Sequence, residues 1–193
     1  MRKNDWLMLL MYLCLGVSAF VIGANIRTAE PPPVEATTET ATQETTQETT
    51  TEELRLYFDV PLSSEVQDCI FEECEKYGIN PALVIAIIER ESRFDADVIG
   101  DNGRSFGLMQ VQPKWHYQRM QELNCTDLLN PYQNIKVGVD ILAELNGQNS
   151  NIHWVLMAYN SGATIANENI ASGIITEYAT SIIKRSNELK KGY

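Results

Sequence analysis

The strongest constraint on the fold is a run of seven apolar residues, Ala82 to Ile88, directly after Asn80-Pro81. An Asn followed by Pro is typical of a helix start, because the Asn side chain caps the helix and Pro suits its first turn. We therefore expect a helix over 81–92, ending in Glu89-Arg90-Glu91-Ser92. A helix that is apolar on every side must be surrounded by other elements. This segment therefore predicts the buried centre of a globular domain.

The chain from residue 54 to 193 carries further helical signals without any alternation of strands and helices. Ser64 is expected to cap a helix over about 65–77, with an inner face formed by Val66, Cys69, Ile70, Cys74 and Tyr77. Asn130-Pro131 repeats the helix-start signature and opens a helix over about 131–146. Further helices are expected at about 114–122, 151–158, 162–171 and 176–190. Residues 95–113, rich in Gly, Asp, Asn and Ser, predict an irregular or minor β loop. The domain should be mostly α.

Residues 6–26 form a run of 21 uncharged, mostly apolar residues. A helix of this length spans the roughly 30 Å hydrocarbon core of a bilayer. Arg2 and Lys3 precede the run, which places the N-terminus in the cytoplasm. We therefore expect residues 1–27 to be a single-pass membrane anchor, with the rest of the chain on the outer face. The alternative is a signal peptide, with Ala24 at the cleavage site, and the chain would then be secreted.

Residues 28–53 consist largely of Thr, Glu, Gln and Pro, with seven acidic and no basic residues. Such a segment cannot bury enough apolar surface to offset its ordering entropy, so we expect a disordered linker. Residues 54–193 carry 12 basic and 18 acidic residues. Nucleic acid is therefore not expected as a partner, because binding it requires clustered Lys and Arg.

Three segments of the domain carry candidate functional residues. Glu91 ends the buried helix, where apolar surroundings would raise the pKa of its carboxyl group, as a general acid requires. Gly107-Leu108-Met109-Gln110 combines a tight turn with an amide that can both donate and accept hydrogen bonds. Ala158-Tyr159-Asn160-Ser161-Gly162 stands at the end of a later predicted helix. Each pattern alone also suits a structural role: a solvated helix end, a loop or a helix stop.

The order and spacing of these segments, with Asn130-Pro131, Asn134-Ile135, Gly138 and Tyr178, resemble the catalytic domain of soluble lytic transglycosylases. That domain belongs to the goose-type-lysozyme-like group, and the resemblance covers about 60–190. It implies a lysozyme-like helical fold. It also implies cleavage of the β-1,4 bond between N-acetylmuramic acid and N-acetylglucosamine in peptidoglycan, with 1,6-anhydromuramic ends as products. Glu91 would be the sole general acid and base of this reaction.

The resemblance also assigns roles to residues around Glu91. Gln110 and Met109 would line the sugar subsites. Tyr159 would orient the catalytic carboxyl group or the sugar beside it, and Asn160 would shape the same wall. Tyr178 would pack or hydrogen-bond behind the loop that contains Gln110. These five residues are the expected substrate-binding set.

Two departures from the family pattern keep other functions open. Ile174 stands where many members carry an acidic residue, and the nearby acid is Glu177. Asp95 would share a face with Glu91 if the helix continued for one more turn. A well-placed Asp could activate water, which would make the enzyme a lysozyme-like hydrolase. The third alternative is a catalytically idle domain that binds peptidoglycan or partners in an envelope-spanning assembly.

Four cysteines and two histidines are present, without C-x-x-C or H-x-x-x-H spacing, so neither a metal site nor a cofactor is predicted. Cys14 lies inside the apolar N-terminal run, where we expect it to act only as one more apolar side chain. Outside the membrane, a disulfide could join Cys125 to Cys69 or to Cys74. The alternative is that all three are buried free thiols.

Overall fold

The computed structural model describes residues 56–191, which form seven helices and a two-stranded sheet. The predicted anchor (1–27) and linker (28–53) lie outside the described residues. Among the described helices, none is long and apolar enough to cross a membrane. In chain order the elements are α1 (Ser64–Tyr77), α2 (Pro81–Ser92), β1 (Ile99–Gly100), β2 (Ser105–Phe106), α3 (Pro113–Glu122), α4 (Pro131–Gln148), α5 (Ile152–Ser161), α6 (Ala163–Ala171) and α7 (Glu177–Lys191).

Helix α2 is the centre of the domain, as its apolar sequence predicts. Val84, Ile85, Ile87 and Ile88 have no solvent-exposed surface, and full burial of each such side chain contributes about 1.5–3 kcal/mol. The helix begins as expected, since the side chain of Asn80 accepts a hydrogen bond from the first turn at 2.9 Å. α7 packs along α2, which brings two segments distant in sequence together at the end of α2.

The other helices form a layer of neighbours around this centre. α1 packs on α4, α4 packs on α5, and α5 contacts both α6 and α7. Asn130 caps α4 by accepting hydrogen bonds from Tyr132 N and Gln133 N. Asn151 caps α5 in the same way, at 3.0 Å from His153 N. These local caps explain why the predicted helix starts agree with the structure within one or two residues.

The cap of α1 corrects a sequence prediction. Ser63, not Ser64, is the N-cap, and its hydroxyl accepts a hydrogen bond from Val66 N at 3.4 Å. The sequence alone does not distinguish the two residues, because both are serines with the same capping hydroxyl group. The backbone distinguishes them, because only Ser63 has the extended conformation of a cap.

The buried face of α1 was also predicted only in part. Ile70 and Cys74 are buried, whereas Val66 and Cys69 are half-buried. Tyr77 is 41% exposed and was wrongly placed on the inner face. Its hydroxyl instead donates a hydrogen bond to Asp140 of α4 at 2.8 Å. The buried residues of α1 that were not predicted include Phe71, which stacks on Phe58 from the segment before the helix.

The segment after α2 turns sharply and forms the small sheet. Arg93 and Phe94 both have left-handed backbone conformations, with φ of 55° and 69°. These two residues end the helix, so Asp95 does not lie on a further turn below Glu91. β1 and β2 then pair antiparallel, with Ile99 opposite Phe106. The prediction of an irregular or minor β loop is confirmed.

The three described cysteines are free thiols. Burial raises the pKa of Cys69 to about 11 and that of Cys74 to about 12. Burial also raises the pKa of Cys125. Of the two alternatives that the sequence left open, the structure therefore has thiols and not a disulfide.

Candidate active site

Glu91 lies half-buried in the last turn of α2, facing the start of α7. Its Oε1 accepts a hydrogen bond from the Tyr178 hydroxyl at 2.5 Å. Burial raises the pKa of this carboxyl group above its ordinary value, while the Tyr178 hydrogen bond and the nearby Arg90 charge act in the opposite direction. A carboxyl group with a raised pKa keeps its proton to higher pH. Glu91 is therefore suited to act as a general acid.

Glu91 faces a cleft of about 890 Å³. This volume is within the usual range for pockets that enclose a small organic ligand. The walls come from the loop after α2, from α3 and α4, and from the junction of α5 and α6. The described lining residues are Glu91, Asp101, Ser105, Gln110, Val111, Gln112, Trp115, His116, Arg119, Ile141, Glu144, Leu145, Ala158, Tyr159, Asn160, Ser161, Gly162 and Ala163.

The Gly107–Gln110 loop is held in place by Asn134 of α4, whose side chain has no exposed surface. Its Oδ1 accepts a hydrogen bond from Met109 N, and its Nδ2 donates to Phe106 O and Leu128 O, each at 2.8 Å. Gly107 has a φ of +70°, and an added Cβ there would overlap Leu128 O and the Asn134 amide. The glycine is thus required by both its backbone conformation and its surroundings.

Gln110 lines the cleft, but its amide group makes hydrogen bonds within the fold. Its Nε2 donates hydrogen bonds to Gly107 O at 2.9 Å and to Val98 O at 3.1 Å. The backbone of Gln110 is left-handed, with a φ of 48°. The side chain therefore closes the turn that it belongs to. What it can offer a sugar is mainly its acceptor oxygen.

Met109 is the exception among the predicted substrate-binding residues. Its side chain is completely buried and is absent from the described lining of the cleft. It packs against Gly138 of α4, where an added Cβ would overlap the Met109 sulfur. The prediction that this side chain lines a sugar subsite is therefore wrong. Met109 anchors the loop from inside the core.

The two tyrosines have different hydrogen-bond partners from those expected. Tyr178, expected to bond behind the loop, donates to Glu91. Tyr159, expected to orient Glu91, donates to Met109 O at 2.8 Å and so holds the loop. Burial and the Glu91 charge raise the pKa of both tyrosines. Both remain neutral hydrogen-bond donors next to the carboxyl group.

The transglycosylase SLT domain family matches residues 68–180, which is more than half of the chain. The chain belongs to this family. A curated relative, a transglycosylase of Enterobacteria phage PRD1, is 29% identical over 92 residues, which are 48% of this chain and 33% of that protein. The chain thus spans about a third of the length of this relative.

Two solved structures share the fold of this SLT domain. An inactive mutant of the lytic transglycosylase Slt from Pseudomonas aeruginosa is 19% identical, with a TM-score of 0.58, over 68% of this chain and 24% of that one. The 70 kDa soluble lytic transglycosylase from Escherichia coli is 22% identical, with a TM-score of 0.55, over 65% of this chain and 24% of that one. The expected lysozyme-like helical domain is therefore a mostly helical, lytic transglycosylase-like fold.

The other carboxyl groups of the SLT domain cleft are already paired. Asp101 forms an ion pair with Arg104 at 2.5 Å and also accepts a hydrogen bond from Gln112. Glu144 forms an ion pair with Arg119. No ion pair of the described residues includes Glu91, so its carboxyl group differs from the other two in having no salt-bridge partner among them.

Asp95, the candidate second carboxylate, is an exposed turn residue of the SLT domain. Its Oδ1 accepts a hydrogen bond from Asp97 N at 2.9 Å, as in an Asx turn. Asp95 is also absent from the described lining of the cleft. Asn160, by contrast, lies on the cleft wall beside Ser161, whose hydroxyl donates to it at 2.9 Å.

Sequence reasoning did not assign a site role to four residues that shape the cleft. Asn134 was noticed only as part of the family spacing. Trp115, His116 and Arg119 of α3 belong to no motif that we recognised. The Trp-His pair five residues after Gln110 was nevertheless a usable signal. Among residues 56–191, no group of three or more His, Cys, Asp or Glu side chains could hold a metal ion.

Proposed function

We propose that this SLT domain is a peptidoglycan lytic transglycosylase, which cleaves the β-1,4 bond between N-acetylmuramic acid and N-acetylglucosamine. Membership of the family and the named relatives support this class of reaction. The observation that carries the proposal is the position of Glu91: its carboxyl group lines the cleft, and burial raises its pKa. A desolvated acid at the end of a buried helix suits proton transfer to a glycosidic oxygen.

In this proposal Glu91 acts twice. Its protonated carboxyl group donates to the glycosidic oxygen, and the bond from that oxygen to C1 of the muramoyl residue breaks. The resulting carboxylate then accepts the proton of the muramoyl 6-hydroxyl group, whose oxygen bonds to C1 and closes the 1,6-anhydro ring. The N-acetyl group of the substrate stabilises the positive charge at C1, so no second carboxylate is needed. Glu91 regains its proton, and no water is consumed.

Neighbouring side chains support these steps by position. The Tyr178 hydroxyl stabilises the carboxylate that forms after the first proton transfer, because it donates to Glu91 Oε1. Tyr159 and Asn134 hold the loop that places Gln110 at the cleft. Gln110 and Asn160 then offer polar groups to the sugar. Tyr159 and Asn134 are thus positioning residues.

The identity of the products distinguishes this reaction from hydrolysis. Purified cell-wall sacculi are digested with the full-length chain, and the released muropeptides are analysed by mass spectrometry. We expect 1,6-anhydromuropeptides. Products heavier by one water, with reducing ends, would instead indicate the hydrolase. No release by a folded protein would indicate a domain that only binds.

The role of Glu91 is tested with a matched pair of variants. Glu91→Gln should abolish turnover and leave the fold intact, because the amide cannot donate and retake a proton. General acid–base catalysis contributes roughly 10²–10⁴-fold, and one residue fills both roles here. Glu89→Gln makes the same side-chain replacement on α2, but Glu89 is bound to Arg185 at 2.7 Å and is absent from the described cleft lining. It should keep near-native rates. If the two variants behaved alike, the assignment of Glu91 would be wrong.

We also propose that residues 6–26 hold the chain in the membrane and that the linker extends the domain from its outer face. The uncharged apolar run and the preceding Arg2 and Lys3 support this topology. N-terminal sequencing of the mature protein and membrane fractionation test it. An intact N-terminus in the membrane fraction is expected. A mature chain that begins shortly after Ala24 would indicate a cleaved signal peptide.

A further inference from the structure

Trp115 is a large aromatic residue that the core does not use. Its side chain is 69% exposed, yet it lines the cleft that contains Glu91. The Lys114 ammonium group lies 4.6 Å from the centre of the ring and takes up one face of the indole. Tyr117, two residues further along α3, is 67% exposed but lies outside the described lining of the cleft. Trp115 and Tyr117 are therefore equally exposed, and what distinguishes Trp115 is its position in the cleft.

A kink in α3 directly follows Trp115. His116 has non-helical backbone angles, with φ of −121° and ψ of 16°, and both residues line the cleft. Arg119 fixes this part of the helix to α4: its Nε donates to Asp140 Oδ2 at 2.6 Å, and it forms an ion pair with Glu144. The side chain of Arg119 is only 17% exposed. The segment with Trp115 and His116 is thus held in place by the partly buried ion pairs of Arg119.

The same network determines which hydrogen bond His116 can make. Arg119 Nη1 lies 2.7 Å from His116 Nδ1. Because a guanidinium group only donates, Nδ1 is the acceptor, and the ring proton of the imidazole is on Nε2. Burial and the Arg119 charge lower the pKa of His116 to about 4, so the ring is neutral at physiological pH. His116 therefore presents an uncharged N–H donor.

An aromatic face beside an uncharged donor suits a ligand with an apolar ring face and polar edge groups. Ile141 and Leu145 of α4 add apolar surface to the same cleft. Arg119 and Glu144 also line the cleft, and their ion pair leaves neither charge uncompensated. We propose that Trp115 and His116 form a saccharide subsite, in which the indole stacks on an N-acetylhexosamine ring and His116 Nε2–H donates to one of its oxygens. This subsite rests on the proposed function, since it would hold the glycan strand next to Glu91.

The test measures saccharide binding in the full-length chain with Glu91→Gln, which stops turnover. The probe is the tetrasaccharide of N-acetylglucosamine, titrated by calorimetry. Adding Trp115→Ala should weaken binding by ~10-fold or more, because an aromatic face loses its apolar contact. Trp115→Tyr should restore most of the affinity. The matched control, Tyr117→Ala, removes an equally exposed aromatic residue from the same helix and should leave the dissociation constant within about two-fold.

Three results would overturn the subsite: no binding by the Glu91→Gln parent, no loss with Trp115→Ala, or an equal loss with Tyr117→Ala. With active Glu91, Trp115→Ala should raise KM on sacculi more than it lowers kcat, because a binding platform acts on the bound substrate. Failure of the subsite and failure of the proposed function give different results. Release of anhydromuropeptides with unchanged binding in Trp115→Ala would refute only the subsite. Trp115-dependent binding without any released muropeptides would support the subsite and refute the lyase.

Discussion

Replacing Asn134 by Ala should destabilise the domain more than any ordinary polar substitution. The Asn134 side chain makes three hydrogen bonds of 2.8 Å: those with Met109 N and Leu128 O are buried, and that with Phe106 O is partly buried. Phe106 O keeps a second donor, Val111 N, at 3.1 Å. Met109 N and Leu128 O would instead lose their hydrogen bonds to Asn134 and remain buried without a described partner. The loss therefore falls on two backbone groups rather than three.

The magnitude follows from this count. A buried polar group left without a partner costs roughly 1–3 kcal/mol, so two such groups and the small cavity should lower the free energy of unfolding by about 3–6 kcal/mol. Urea unfolding monitored by circular dichroism measures this change. With a slope of roughly 2 kcal/mol per molar urea, the midpoint should fall by about 1.5–3 M. Activity on sacculi should fall as well, because the loop with Gln110 loses its support.

The control is Asn146→Ala on the same helix. Asn146 is exposed, so its replacement should change the free energy of unfolding by less than about 0.5 kcal/mol. If Asn134→Ala cost less than about 1 kcal/mol, or no more than Asn146→Ala, Asn134 would not organise the loop. Asn134→Ala could also lose the expected stability and yet keep native activity at urea concentrations just below its lowered unfolding midpoint. This result would show that the function of the loop does not depend on Asn134.

Two further substitutions test the surroundings of the site. Tyr178→Phe removes a hydrogen bond that favours ionised Glu91, so the pKa of Glu91 should rise and the alkaline limb of the pH–rate profile should move to higher pH; an unchanged or more acidic limb would contradict the role of Tyr178. Gly138→Ala places a methyl group where the buried Met109 sulfur lies, which should lower stability by about 1–3 kcal/mol in thermal unfolding, and a higher Tm would contradict this packing.

Helix positions were predictable because the signals that begin helices are local. Asn80-Pro81 and Asn130-Pro131 place a cap and a first-turn proline next to each other, and α2 and α4 begin where they indicate. The predicted end of α2 at residue 92 also agrees with the structure. Its cause, a left-handed backbone at Arg93, could not be predicted, because an Arg side chain does not indicate that conformation.

The partners of the two tyrosines could not be predicted, because they depend on packing between distant elements. Tyr178 is 87 residues from Glu91 in sequence, and Tyr159 is 50 residues from Met109. The family resemblance places both tyrosines near the site without saying which hydroxyl group reaches which acceptor. Met109 shows the same limit: its burial follows from the absence of a side chain at Gly138, a property of the neighbouring helix.

The packing of α7 on α2 links the stability of the fold to the acidity of Glu91. The apolar body of α2 builds the core, and the burial that it provides raises the pKa of the carboxyl group at its end. α7 covers the same helix and also contributes Tyr178, whose hydrogen bond lowers that pKa. The two effects oppose each other and come from one interface. A substitution that loosens α7, even away from the cleft, should therefore change stability and the pH dependence of activity together, whereas damage at Asn134 should leave the pKa of Glu91 in place.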